Sequence, residues 1–236
     1  MIEINAVSSS SKGNCYRVTD GKTPLLLECG ITFKVMQRAF DFNMSFAGCL
    51  ITHEHGDHCK ALKDVLRAGI DCYMSPGTSK ALGVENQNHH RINLVKARQT
   101  FRIGTWLIMP FDVQHDASEP YGFLLANEDG DKLLFATDTY YIKYKFSGLT
   151  HIMVECNYAE SILDANIENG SIHKSMRNRL IQSHFSLENV KTFLAANDLS
   201  KVQEIWLLHL SDTNSDERLF KEEIAKQTGK VVYVPK

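Results

Sequence analysis

Six residues, His53-Glu54-His55-Gly56-Asp57-His58, limit what this chain can fold into more than any other stretch. They follow the apolar run Ala47–Thr52, which reads as a buried strand, so three imidazoles and a carboxylate are expected at a strand end. Imidazole nitrogen and carboxylate oxygen suit zinc, manganese or iron. Gly56 lets the backbone turn tightly, so near neighbours can aim at one point. The pairs His53/His55 and Asp57/His58 match two adjacent cations better than one, and a solvated polar turn seldom needs three histidines. Six positions cannot fill two coordination shells, so further ligands are expected from other strand ends. His115 follows the run Trp106–Val113, Asp138 follows Lys132–Thr137, and His209 sits near the end of Glu204–Leu210. Singly, each reads as a strand cap or surface residue. Together with the cluster they make a set of five His and two Asp.

The rest of the chain reads as one domain, with no internal repeat and no Pro/Gly-rich linker. Short strands are expected at Ile2–Val7 and Cys15–Val18, joined by a loop Ser8–Asn14, and further strands at Pro24–Cys29, Asp71–Met74, His90–Val95, Gln99–Ile103, Tyr121–Ala126, Thr150–Cys156 and Val231–Val234. Helical spacing marks Phe33–Phe40, Ala61–Ala68, Lys174–Gln182, Leu187–Ala196 and Ser215–Thr228. Ser186 is the expected N-cap of the fourth, and Asn214 with Glu217 the capping pair of the last.

With 43% apolar and 23% charged residues among 236, the chain is neither disordered nor fibrous. The 26 basic and 28 acidic residues leave a charge of −2, which argues against coating nucleic acid or membrane by bulk charge. No apolar run approaches the roughly 18–20 residues that span a bilayer, so no membrane partner is expected. The opening MIEINAVSSSSKGN lacks the pattern of a signal peptide, and the six scattered cysteines form no C-x-x-C pair. A cytoplasmic location with reduced, mostly buried thiols is therefore expected.

In its order, HxHxDH at 53–58, then a lone His, a lone Asp and a late His, the chain resembles the metallo-β-lactamase superfamily over about Ser8 to Ser211. The resemblance implies an α/β fold, a four-layer αββα sandwich in a single domain 1–236, with metals at one edge of the sheets. It implies two divalent metal ions per chain, Zn2+ or Mn2+: His53, His55 and His115 on one, Asp57, His58 and His209 on the other, and Asp138 bridging. Glu28 stands where the family carries an Asp that braces the HxHxDH loop, and its longer carboxylate can make the same bond.

A narrower resemblance is to the YycJ (WalJ) subgroup, whose compact relatives also occur in phage genomes. It is carried by Ser9-Ser10-Ser11-Lys12-Gly13-Asn14-Cys15-Tyr16, Glu155-Cys156-Asn157, Ser183-His184-Phe185-Ser186-Leu187 and His209-Leu210-Ser211-Asp212-Thr213-Asn214. Leu187 and Tyr158 depart from the subgroup's pattern, which has Asn and a His-Asp pair there. The subgroup implies a nuclease, most like a 5′-to-3′ DNA exonuclease, with nucleic acid as partner and DNA ahead of RNA.

The chemistry of such a site is in-line attack at phosphorus by a hydroxide held between cations about 3.5–4 Å apart. Asp57 would orient the nucleophile, and His184 is the candidate acid for the leaving alkoxide. Asn14, Asn157 and Arg177 are the candidate substrate contacts; Arg177 lies in the basic stretch Lys174, Arg177, Arg179. Tyr140, Tyr141 and Tyr144 suit either base stacking or packing. Alternatives are an RNA-processing endonuclease of the RNase Z type, a lactone or thioester hydrolase, and a non-catalytic nucleic-acid-binding module that keeps metal for folding.

Overall fold

The computed structural model describes residues 1–84 and 90–235. The chain divides into two compact units, one of Met1–Asp112 with Ala117–Asp131, the other of Val113–Asp116 with Lys132–Pro235.

The first unit begins with the hairpin β1 (Glu3–Ser10) and β2 (Gly13–Thr19). The ladder runs out to Ser9↔Asn14 and Ser10↔Gly13, so only Ser11 and Lys12 turn the chain. The Ser/Gly-rich stretch expected as a loop is mostly strand, because Ser side chains bond within the ladder: Ser8 Oγ donates to the Gly13 carbonyl at 2.6 Å, and Ser9 Oγ meets the Tyr16 hydroxyl at 2.7 Å. Next come β3 (Leu25–Leu27), α1 (Phe33–Ala39), β4 (Gly48–Leu50), the four-residue α2 (Gly56–Cys59), α3 (Leu62–Arg67) and β5 (Cys72–Met74). Helix α4 (Pro76–Ala81) was not expected from a Pro-Gly pair. Proline is welcome at a first helical position, and Ser75 caps the helix by accepting from Thr78 N at 3.0 Å. After β6 (Ile92–Leu94), the six strands lie in the order β1-β2-β3-β4-β5-β6, parallel from β3 onward. An antiparallel meander follows: β7 (Phe101–Ile103), β8 (Trp106–Asp112), β9 (Tyr121–Ala126).

Burial explains the sequence of this unit. Leu26, Cys49, Ile51 and Cys72 from the strands pack with Met36, Leu62, Val65 and Leu66 from the helices in one apolar cluster. Five of the six cysteines belong to it, and all six are buried and unbridged.

The second unit is built on four parallel strands, β10 (Lys132–Ala136), β11 (His151–Glu155), β12 (Glu204–Leu208) and β13 (Val231–Tyr233). Strands β10 and β11 are buried over nearly their whole length, which is why they read as continuous apolar runs without alternation. The helices are α5 (Glu160–Glu168), α6 (Ser175–Ser183), α7 (Leu187–Ala195) and α8 (Glu217–Thr228). Helix α5 escapes the sequence reading because Leu163 is its one buried side chain, too little for a periodic stripe. Ser186 caps α7 as expected, but α8 is capped by Asp216, whose side chain accepts from Leu219 N at 2.9 Å, and not by Asn214. Among the described residues no helix is long and apolar enough to cross a membrane.

Gly30 carries a stability prediction. A Cβ there would lie 1.6 Å from the Asp57 carbonyl oxygen and 2.8 Å from His58 N, both backbone atoms, whereas one at Gly56 would meet nothing within 4 Å. Gly30→Ala is expected to cost more than about 3 kcal/mol in urea unfolding. Gly56→Ala is expected to change stability by less than about 1 kcal/mol.

Candidate metal centre

In the first unit, β4 delivers the chain to the HxHxDH turn. Past Leu50 it runs through Thr52 and His53, and α2 starts after His55, whose extended backbone (φ −62°, ψ 146°) makes it the N-cap residue. His53 and His58 are buried. The His53 ring lies 4.6 Å from that of His55 and 4.1 Å from that of His58.

Each ring is held from behind. Thr52 Oγ1 sits 2.9 Å from His53 Nδ1, which turns His53 Nε2 toward His55 Nδ1 at 3.0 Å. Glu28 Oε1 stands 3.6 Å from His58 Nδ1 and accepts from Thr52 N at 3.2 Å. The opposite nitrogen, His58 Nε2, lies 3.4 Å from Asp57 Oδ2. Burial pushes the Glu28 carboxyl up, against the pull of His58 and the Thr52 N–H. Glu28 itself has φ 62°, a left-handed turn that ends β3 and swings the side chain under the histidines.

Asn14 completes the brace: its Nδ2 donates to the Asp57 carbonyl at 3.3 Å and lies 3.2 Å from His58 Nε2, while its Oδ1 accepts from the Tyr16 hydroxyl at 3.0 Å. Fully buried and so bonded, Asn14 positions the turn.

The second unit gathers a separate set. Asp138, Glu155, His184 and His209 each offer a ligand atom, and these atoms lie within 4.8 Å of one another. Asp138 (φ 44°) follows β10 and His209 (φ 55°) follows β12, both in the left-handed region at strand ends. His115 Nδ1 donates to the Ser183 carbonyl at 2.8 Å, which leaves Nε2 facing the carboxylates of Asp116 at 3.3 Å and Asp138 at 3.7 Å. Burial lowers the His115 pKa against the pull of Asp138, so the ring favours its neutral, ligating form.

Glu155, completely buried at the end of β11, was named in the sequence only as part of a motif and given no role; it is the organising group here. Its Oε1 lies 2.6 Å from His184 Nδ1 and 3.3 Å from His209 Nδ1, and its Oε2 accepts from Thr139 N at 2.8 Å and Phe185 N at 3.1 Å. Burial works against charge on His184, but the adjacent Glu155 carboxylate outweighs it and raises the His184 pKa. Asn157 Nδ2 donates to the His209 carbonyl at 2.8 Å, and its buried Oδ1 has no hydrogen-bond partner among the described residues.

Arg177 is not gathered in: its Nε pairs with Asp164 at 2.9 Å. Arg179 instead lines an open cavity of about 720 Å3 together with His115, Asp116, Tyr140, Gln182 and Ser183. Spacing favoured Arg177, three residues from Lys174, and nothing in the sequence marked its pairing with Asp164 or the 4.0 Å contact of Arg179 with Asp116.

The donor set fits borderline metal ions. His53 Nε2 and His55 Nδ1 at 3.0 Å have the spacing of neighbouring ligands about 2.0–2.1 Å from one cation. Nδ1 of His53, His58, His115 and His209 is engaged by a hydroxyl, carboxylate or carbonyl, the outer-shell arrangement that orients ligating imidazoles. Among the described residues no cysteine joins these groups of candidate ligands, and burial pushes the Cys59 thiol up to about 12.

The chain is similar to several known proteins. The chain is 25% identical over 244 residues to the exodeoxyribonuclease YycJ of Bacillus anthracis, covering 95% of this chain and 88% of that protein. It is 28% identical over 231 residues to the exodeoxyribonuclease WalJ of Streptococcus pneumoniae, covering 90% and 83%. The crystal structure of the metallo-β-lactamase fold protein YhfI from Bacillus subtilis matches with a TM-score of 0.75 at 12% identity, over 100% of this chain and 96% of that one. The sequence profile of the beta-lactamase superfamily domain matches residues 25–209. The chain therefore belongs to the β-lactamase superfamily and has the metallo-β-lactamase fold that its histidine and aspartate pattern implied.

Proposed function

We propose that the protein is a metal-dependent phosphodiesterase of the nuclease class, acting as a 5′-to-3′ DNA exonuclease in a cytoplasm, its single functional domain spanning 1–236. The observation that carries this reading is the Glu155 carboxylate, which holds His184 beside two candidate ligands, Asp138 and His209. A hydrolase that releases an alkoxide needs such a proton donor next to its electrophilic centre. The choice of DNA rests on the two exodeoxyribonucleases that the chain resembles over about nine-tenths of its length.

We assign His53, His55 and His115 to one Zn2+ or Mn2+, Asp57, His58 and His209 to a second, and Asp138 to both. Support comes from family membership and from the backing of His53, His58, His115 and His209 by neighbouring oxygens. Two such ions supply charge neutralisation at phosphorus and acidify a water molecule. The protein's own groups do the rest. Asp57 orients the nucleophile, and Glu28 and Asn14 keep the turn rigid. His184, protonated on Nε2 and fixed through Nδ1, gives its proton to the leaving oxygen. Asn157, with its unused Oδ1, receives a substrate donor, and Arg177 contributes a positive field from α6.

Metal removal by chelation is expected to abolish hydrolysis, and Mn2+ or Zn2+ to restore it, with two equivalents bound per chain by elemental analysis. Asp138→Asn is expected to lower kcat by on the order of 100-fold or more. With Mn2+ and single-stranded DNA labelled at either end, the 5′ label should be released first as a small product; one internal cut in RNA would instead establish the endonuclease alternative.

The pH profile follows from His184. A general acid works while protonated, so kcat holds at low pH and falls as pH rises through its raised pKa. Glu155→Gln removes the group that raises it and should move that limb to lower pH. His184→Asn should flatten the limb and cut kcat by about 10²–10⁴.

A further inference from the structure

Beside the catalytic groups of the second unit lies a second, smaller cavity of about 210 Å3. Its walls are the loop that follows Asp138 and one side of α7. Phe185 and Phe193, with ring centroids 6.2 Å apart, form the floor, and Phe146 packs on Phe193 at 6.4 Å. Tyr141, which is 55% exposed, and Tyr144 stand at the mouth. Lys143 and Lys145 are both exposed on the rim, and none of the described lining residues is acidic.

The loop is held firmly. Asn197 Oδ1 accepts from Phe146 N at 2.7 Å while its Nδ2 donates to the Phe193 carbonyl at 2.7 Å. At the other end Thr139 N donates to Glu155, the carboxylate that also holds His184. The floor residue Phe185 directly follows His184 in the chain, so the cavity begins where the proposed proton donor ends.

Size and chemistry together select the occupant. Sites for whole drug-sized ligands run to about 300–1,000 Å3, so this cavity takes a single ring system. Its aromatic floor suits a flat π-face, and two lysines without a carboxylate suit an adjacent anion. Asn189, exposed on α7, offers both a donor and an acceptor to a ring edge. A neutral aromatic would gain nothing from the lysines, and an acidic peptide would gain nothing from the floor.

We propose that this cavity receives one unstacked base of a single-stranded nucleic acid, with a neighbouring backbone phosphate on Lys143 and Lys145. The proposal rests on the nuclease reading and names the grip that holds the strand while its end is cut.

The test is anisotropy titration of the metal-loaded protein with a labelled phosphorothioate DNA octamer and with the same octamer lacking all bases. The abasic octamer is expected to bind about tenfold more weakly. Thr192→Phe, which fills the cavity, should weaken the intact octamer toward the abasic level and leave the abasic one unchanged. Lys143→Ala with Lys145→Ala should weaken both and reduce the salt slope by about 0.7, the share of one single-strand phosphate. Equal binding of intact and abasic octamers, or a Thr192→Phe protein of normal melting temperature that binds both as before, overturns the cavity proposal alone. Should Thr192→Phe fail to fold, the wild-type comparison of the two octamers decides. Failure to bind either octamer, in a protein that still hydrolyses bis-para-nitrophenyl phosphate, overturns the nuclease reading with it.

Discussion

One buried carboxylate ties the second unit's chemistry together. Glu155 receives four donors: His184 and His209 on one oxygen, and the backbone N–H groups of Thr139 and Phe185 on the other. A carboxylate without water is costly unless its lone pairs are met, and here the ends of β10 and β12 and the start of α7 meet them. Burial alone would push its pKa up, but His184 outweighs that and lowers it, and the carboxylate raises the His184 pKa in return. Glu28 plays the matching part in the first unit, fully buried beneath His58 and Thr52. Both units therefore rest imidazoles on a glutamate at the end of a strand.

This arrangement explains why the site was only partly legible in the sequence. His53 to His58 announce themselves because they are contiguous, and His115, Asp138 and His209 because each closes an apolar run. Glu155 also stands near the end of an apolar run, but its role does not show there: Thr139 and His184 lie 16 and 29 residues away, a pairing that only the fold creates. Arg177 stood out by its spacing of three from Lys174, but the fold pairs it with Asp164 and sets Arg179 in the lining of the cavity beside His115. Among the elements, strands buried on both faces and helices with a broad buried stripe, such as α7, were readable, whereas the short capped α4 was not. Helix α5, with one buried side chain, and the Ser-rich hairpin, whose hydroxyls bond its own ladder, were not.

The fold itself hosts many reactions, so substrate choice must come from what is placed around the metal ligands. In the second unit that surrounding is charged and aromatic: Arg179, Asp116 and Tyr140 line one cavity beside His115, and Lys143, Lys145 and Tyr141 line another beyond His184. Lactones and thioesters have no backbone charge for such residues to meet. The proposed phosphodiester strand would meet the lysines with its charge and the tyrosines with its bases.

The left-handed backbone at Glu28, Asp138 and His209 has a consequence for how this protein could be improved. Each of these residues sits in a conformation that glycine adopts without strain and other residues adopt at a cost of order 1 kcal/mol or more. Selecting variants for heat resistance alone would therefore favour glycine at the very positions assigned to the proposed cations and their support. Durability and turnover pull in opposite directions at those three corners, and a hardened version of this enzyme would have to gain its robustness elsewhere in the chain.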